Sequence, residues 1–141
     1  MRITNVTEIT TLVGKVQKIL SPMDEEIAFQ GEIYISNMKT GVVNAWKKSE
    51  KMSQNLYILH GATWIVTAHK SNGSSFEMKS KYFQADVLQR VTIPKEVYYG
   101  FLPVGLTDCR ILNILGSPYD AEKVTSLKTN EIVFDWAGLK K

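Results

Sequence analysis

Apolar and polar residues alternate with a period of two in short stretches along most of the chain. The clearest are TTLVGKVQKIL (10–20), GEIYIS (31–36), GVVNAW (41–46), NLYILHG (55–61), TWIVTAH (63–69), VLQRVTIP (87–94) and CRILNIL (109–115). In an extended strand, successive side chains point to opposite faces, so this pattern predicts strands with one buried face. Turn signals separate them: SNGSS (71–75), IPKE (93–96), PVG (103–105) and GSPYD (116–120). Asn72-Gly73 suits a tight turn and predicts a hairpin over 63–79, with Phe76 and Met78 opposite strand 63–69. Trp46 and Trp64 are placed on neighbouring strands of one sheet. SPYDAEKV (117–124) predicts a short helix, with Ser117 as cap and Pro118 at its first position. Sustained helical periodicity is missing elsewhere. The pattern therefore defines an all-β, mainly antiparallel chain, in which a closed or double-sheet architecture protects strand edges.

Size and composition narrow this further. The 141 residues suit one domain, since domains commonly run roughly 100–150 residues. The single Cys109 cannot form an internal disulfide, which fits a reducing compartment. MRITNVTEITTLVGKV at the start has no apolar run suited to a signal peptide or membrane helix, so a cytoplasmic protein with no membrane partner is the expectation. A formal charge of +3 is too small to argue for nucleic acid, and aromatics on strands more often serve as core or pocket wall.

Candidate chemistry is sparse. His60, His69 and Cys109 do not form a ligand set, so no metal and no cofactor are expected. His60, just before Gly61, reads as a hairpin cap. Hydrolase motifs and phosphate-cradling glycine loops are absent. What remains is a basic cluster, Lys47, Lys48 and Lys51. It is either a solvated strand end or a local anion site.

In order and spacing, QGEIYIS (30–36), GVVNAW (41–46), NLYILHG (55–61), VTIPKEVYYGF (91–101) and IVFDW (132–136) resemble the dTDP-4-dehydrorhamnose 3,5-epimerase family. The resemblance implies a cupin-like double-stranded β-helix, or jelly roll, formed by a single domain over 1–141. It also implies a metal-free pocket for a nucleotide-linked 4-keto sugar, and a homodimer. The motifs depart from the family at the residues that carry its chemistry. Lys47 stands where the family has its histidine base, and Asn113 at or next to its tyrosine acid. Gln30 and Asn44 stand at two usual arginines, about Gln54 at a phosphate-binding lysine, and Tyr99 at a further histidine. Lys48 and Lys51 complete the cationic candidates, and Tyr57, Trp64 and Tyr99 are the candidate aromatic walls.

Epimerisation beside a ketone needs a base, an acid and stabilisation of the enolate between them. An ordinary lysine, with a pKa of ~10.4, is almost fully protonated at neutral pH, and an amide is no proton donor. Three readings follow: an isomerase or epimerase with an altered site, in which Lys47 is base or enolate stabiliser; a non-catalytic binder of carbohydrate or nucleotide sugar; and a structural jelly roll with a filled interior.

Overall fold

A computed structural model describes residues 1–12, 14–19, 31–73, 75–117 and 120–139. Two five-stranded antiparallel sheets carry the fold. The first runs in the order β1(Arg2–Asn5), β9(Gln89–Ile93), β6(Gln54–His60), β11(Cys109–Leu115), β4(Glu32–Met38). The second runs β12(Val124–Ser126), β5(Asn44–Ser49), β10(Tyr98–Val104), β7(Ala62–Lys70), β8(Phe76–Gln84). A separate hairpin joins β2(Thr7–Thr11) to β3(Gly14–Lys18). This is the expected jelly roll, with β4 and β12 as edge strands of the two sheets among the described residues.

The space between the sheets is filled by Leu56, Ile58, Val91, Ile93 and Ile111 from the first sheet and by Ile65, Phe83 and Phe101 from the second. Each lies on the face that period-two alternation assigns to it. Complete burial of such side chains contributes about 1.5–3 kcal/mol apiece.

A second cluster lies on the outer face of the second sheet. Trp46, Val66, Ala68 and Leu102 are covered there by Ile132 and Trp136 of the closing segment. Three aromatic contacts lock this cover down, with Trp46–Trp136 at 5.2 Å, Phe134–Trp136 at 5.0 Å and Trp46–Phe134 at 6.4 Å between ring centroids. The Trp46 indole N–H donates to the carbonyls of Thr129 (3.2 Å) and Ile132 (3.3 Å), so its polar edge is satisfied in the dry cluster. On the outer face of the first sheet, Tyr57 and Ile114 form a smaller cluster with Val6, Ile19 and Leu88.

Hairpin 63–79 forms as the alternation predicts: Met78 pairs with Ala68 and Phe76 with Lys70. Other expectations are corrected. Residues 10–20 do not make one strand; Thr11 pairs back on Gly14 at the tip of the β2–β3 hairpin. Trp46 and Trp64 share a sheet but are separated by β10. Gly61 does not close a hairpin, because β6 and β7 belong to opposite sheets. It turns the corner between them with φ +74°, and a Cβ there would lie 2.7 Å from the Asp108 carbonyl oxygen. Of the helix expected over 117–124, the described residues from Asp120 on hold one 3₁₀ turn at Ala121–Lys123, capped by the Asp120 carboxylate. Pro118 lies outside the described residues.

Candidate functional site

Lys47, itself exposed, lies on the side of β5 that faces the other sheet, set there by a β-bulge. Along β5 and β10, Tyr99 pairs with Lys47 and Gly100 with Ala45, leaving Trp46 as the extra residue. Ala45 and Trp46 are consecutive, yet both pack into the outer cluster. A regular strand would send one of them inward; the extra residue absorbs the mismatch and turns Lys47 toward the other sheet. Gly100 permits the close approach, since a Cβ there would sit 2.5 Å from Ala45 Cβ.

Facing Lys47 across the gap is the edge strand β4. Glu32, Tyr34 and Ser36, alternate residues on one face, line a cavity of about 340 Å³ together with Lys47. The outward residues of the same strand are apolar: Ile33 is 51% and Ile35 46% exposed. The strand is thus inverted relative to the usual rule, with its polar face inward and its isoleucines outward. Asn113 on β11 sits opposite Tyr34 in register. Its amide nitrogen donates to Ser36 Oγ (3.0 Å), the Ile111 carbonyl (3.1 Å) and the Tyr34 carbonyl (3.4 Å). Those donors therefore hold β4 in place. Among the described residues the Lys47 side chain makes no hydrogen bond or ion pair, so its ammonium is available to a ligand.

The other candidates from the sequence divide into two groups. Tyr99 flanks Lys47 on the same inner face, in edge contact with Phe101 at 5.7 Å. Gln54 is buried on β6 on the interior face shared with Leu56. The remaining residues point elsewhere. Lys48 lies on the opposite face of β5, where it pairs with Glu96 at 3.2 Å and sits 5.2 Å from the Tyr98 ring centroid. Burial lowers its pKa, but the Glu96 hydrogen bond and the charges of Tyr98, Glu96 and Glu50 raise it further, leaving it above the ordinary lysine value. Tyr57 donates its hydroxyl to the Ile19 carbonyl beneath the outer cover of the first sheet. Trp64 packs edge-on against Tyr82 at 5.7 Å, within the outer cluster of the second sheet. Asn44 borders a separate surface cleft with Asn37, Met38 and Val42. Lys51 is exposed in the turn after β5, and Gln30 lies outside the described residues.

Among the described residues no three His, Cys, Asp or Glu side chains gather as a metal site. Cys109 is buried in the core, and burial pushes its thiol up to about 11. The cavity thus offers an ammonium, a carboxylate, a phenol and a hydroxyl. That set can grip phosphate or move protons next to a carbonyl.

The fold is that of a cupin-like jelly roll with a polar cavity between its sheets. Among solved structures it is similar to a dTDP sugar isomerase from Desulfovibrio desulfuricans, at 24% identity, covering 99% of this chain and 92% of that one with a TM-score of 0.84. It is also similar to dTDP-4-dehydrorhamnose 3,5-epimerases. The Bacillus anthracis protein, with TDP and pyrophosphate bound, is 13% identical over 98% of this chain and 85% of its own (TM-score 0.78). The Elizabethkingia anophelis protein is 18% identical over 95% and 79% (TM-score 0.75). No protein-family model and no curated protein sequence matches the chain.

Proposed function

We propose that the cavity between β4 and β5 binds a nucleotide-linked keto sugar. On this reading the chain acts as an isomerase or epimerase in carbohydrate or surface-polysaccharide biosynthesis, with Lys47 and Asn113 in place of the usual histidine and tyrosine. The observation that carries it is Lys47, turned by the bulge toward a polar cavity, its side chain without a partner among the described residues. The shared fold supports it, since the similar proteins are named for dTDP sugars and one holds TDP. As an ammonium, Lys47 serves as an electrostatic partner for phosphate or for an enolate oxygen. Lys51, exposed just beyond β5, is placed to add charge near the same strand.

The protein on this reading is cytoplasmic, needs no metal and works as a homodimer. The edge position of β4 among the described residues, with Ile33 and Ile35 exposed on its outer face, supports pairing of two copies. A non-catalytic nucleotide-sugar binder is the second reading. It is favoured by one observation: the Asn113 amide donors are spent on the scaffold.

Titration calorimetry with dTDP and with free rhamnose tests the proposal. A charge-assisted phosphate contact contributes about 1.5–3 kcal/mol when shielded from water and less at an exposed side chain such as Lys47. The expectation is therefore a preference for dTDP, weakened severalfold, up to roughly 10-fold, in Lys47→Ala. Equal or absent binding of dTDP supports a structural jelly roll instead.

A further inference from the structure

We infer that Asn72, at the tip of the hairpin between β7 and β8, is a site of covalent self-modification. Its side-chain amide closes onto the Gly73 nitrogen, and the ring reopens to aspartate and isoaspartate. The inference is independent of the nucleotide-sugar reading.

An asparagine closes on the next backbone nitrogen when that nitrogen is uncrowded, both amides are free of hydrogen bonds, and the local chain can turn. Asn72 is the only asparagine of the sequence followed by glycine. Every other one precedes a residue whose side chain crowds the attacking nitrogen. Several are also held. Asn113 donates to Ser36 Oγ and the Ile111 carbonyl, and Asn55 accepts from the Thr92 hydroxyl. Asn37 accepts from Arg110, and Asn5 from Gln89. Asn72 is exposed, and among the described residues neither its side chain nor the Gly73 N–H has a hydrogen-bond partner. Gly73 has φ +137°, a value that favours glycine, and a Cβ there would meet nothing within 4 Å. The nitrogen is therefore open to attack. Below the tip the two strands pair without a shift from Ala62–Gln84 to Lys70–Phe76, so the change falls in loop 71–75 and not in the sheet.

The Gly73 amide nitrogen gives its proton to solvent and bonds to the Asn72 side-chain carbonyl carbon. The bond from that carbon to the side-chain nitrogen breaks, ammonia leaves, and a cyclic imide remains. Water then adds to one of the two ring carbonyls and opens the ring. Opening at the side-chain carbonyl restores the backbone and leaves aspartate. Opening at the main-chain carbonyl leaves isoaspartate, with the backbone running through the side-chain methylene. One water enters and one ammonia leaves, so no oxidant or reductant is needed. Either product adds a carboxylate near Lys70 and lowers the formal charge of +3 by one.

The test is peptide mass mapping of the full chain held in mildly alkaline buffer at body temperature. Isoaspartate is read separately, by methyl transfer from S-adenosylmethionine with an isoaspartyl methyltransferase. The peptide holding residue 72 is expected to gain about 1 Da, split into two isomers and accept methyl, while those holding Asn37, Asn55 and Asn113 stay unchanged. Gly73→Ala crowds the nitrogen and Asn72→Gln requires a larger ring, so each slows the gain by about tenfold or more. A residue-72 peptide of constant mass, or a gain without a methyl-accepting isomer, overturns the inference. So does an equal gain at Asn37 or Asn55, or either variant within about threefold of the wild-type rate.

Discussion

The outer faces of the two sheets are finished in different ways. On the second sheet, residues 127–139 fold back over Trp46, Val66 and Leu102, and the chain seals its own apolar surface with Ile132, Phe134 and Trp136. On the first sheet, the cover formed among the described residues by Val6, Ile19 and Leu88 packs on Tyr57 and Ile114 and does not include β4. There Ile33 and Ile35 stay half exposed. The sealed face is a stability device. The open one flanks the candidate site, because the strand that shows isoleucine outward shows Glu32, Tyr34 and Ser36 inward.

Removing the seal has the largest expected effect. Trp136→Ala empties the centre of the aromatic cover and is expected to destabilise the fold by about 3–5 kcal/mol in urea denaturation. A loss below 1 kcal/mol would mean that residues 127–139 are not held as described. Gly100→Ala comes next: its new Cβ meets Ala45 at 2.5 Å and the Trp136 ring at 2.9 Å, so a loss of about 1–3 kcal/mol is expected. On the open face, Ile33→Lys with Ile35→Lys should change monomer stability by only about 0.5 kcal/mol or less. Light scattering should show the double variant as a monomer if β4 forms the proposed dimer contact, and unchanged assembly would remove that role from the strand.

Two smaller effects sharpen the picture inside and outside the core. Cys109, buried and with its thiol pushed up to about 11, should resist thiol reagents in the native state at mildly alkaline pH and react once the chain is unfolded. Lys48 is raised above its ordinary 10.5, so its charged form favours the folded state. That contribution is fully present below the ordinary value and is lost as pH climbs through the raised one. The Tm difference between wild type and Lys48→Ala should be small, level through neutral pH, and vanish in strong alkali.

Much of the fold is legible in the alternation of β6, β7, β9 and β11, whose central positions pack as the pattern requires. Where the sequence misleads, the reason is tertiary. Thr10 to Leu20 carries the alternation of one strand, yet Gly14 marks the return arm of a hairpin. NLYILHGATWIV has the look of a hairpin, but Gly61 sends the chain to the other sheet. In the site, the motif places Lys47 in the pocket, and the bulge that turns it inward leaves no compositional trace. Alternation also puts Glu32, Tyr34 and Ser36 on one face of GEIYIS. It does not say which face looks inward. Hydrophobicity assigns the core to the isoleucines, and on an edge strand beside a polar cavity that assignment is reversed. Lys48, adjacent in sequence to Lys47, lies on the opposite face because past the bulge β5 alternates as a regular strand does.

The most direct test of the account is a crystal structure of the protein soaked with dTDP. The account predicts a diphosphate within hydrogen-bond distance of Lys47 Nζ, in the cavity lined by Glu32, Tyr34 and Ser36. A nucleotide bound in the cleft beside Asn44 and Val42, or a cavity left without nucleotide at saturating concentration, would contradict it.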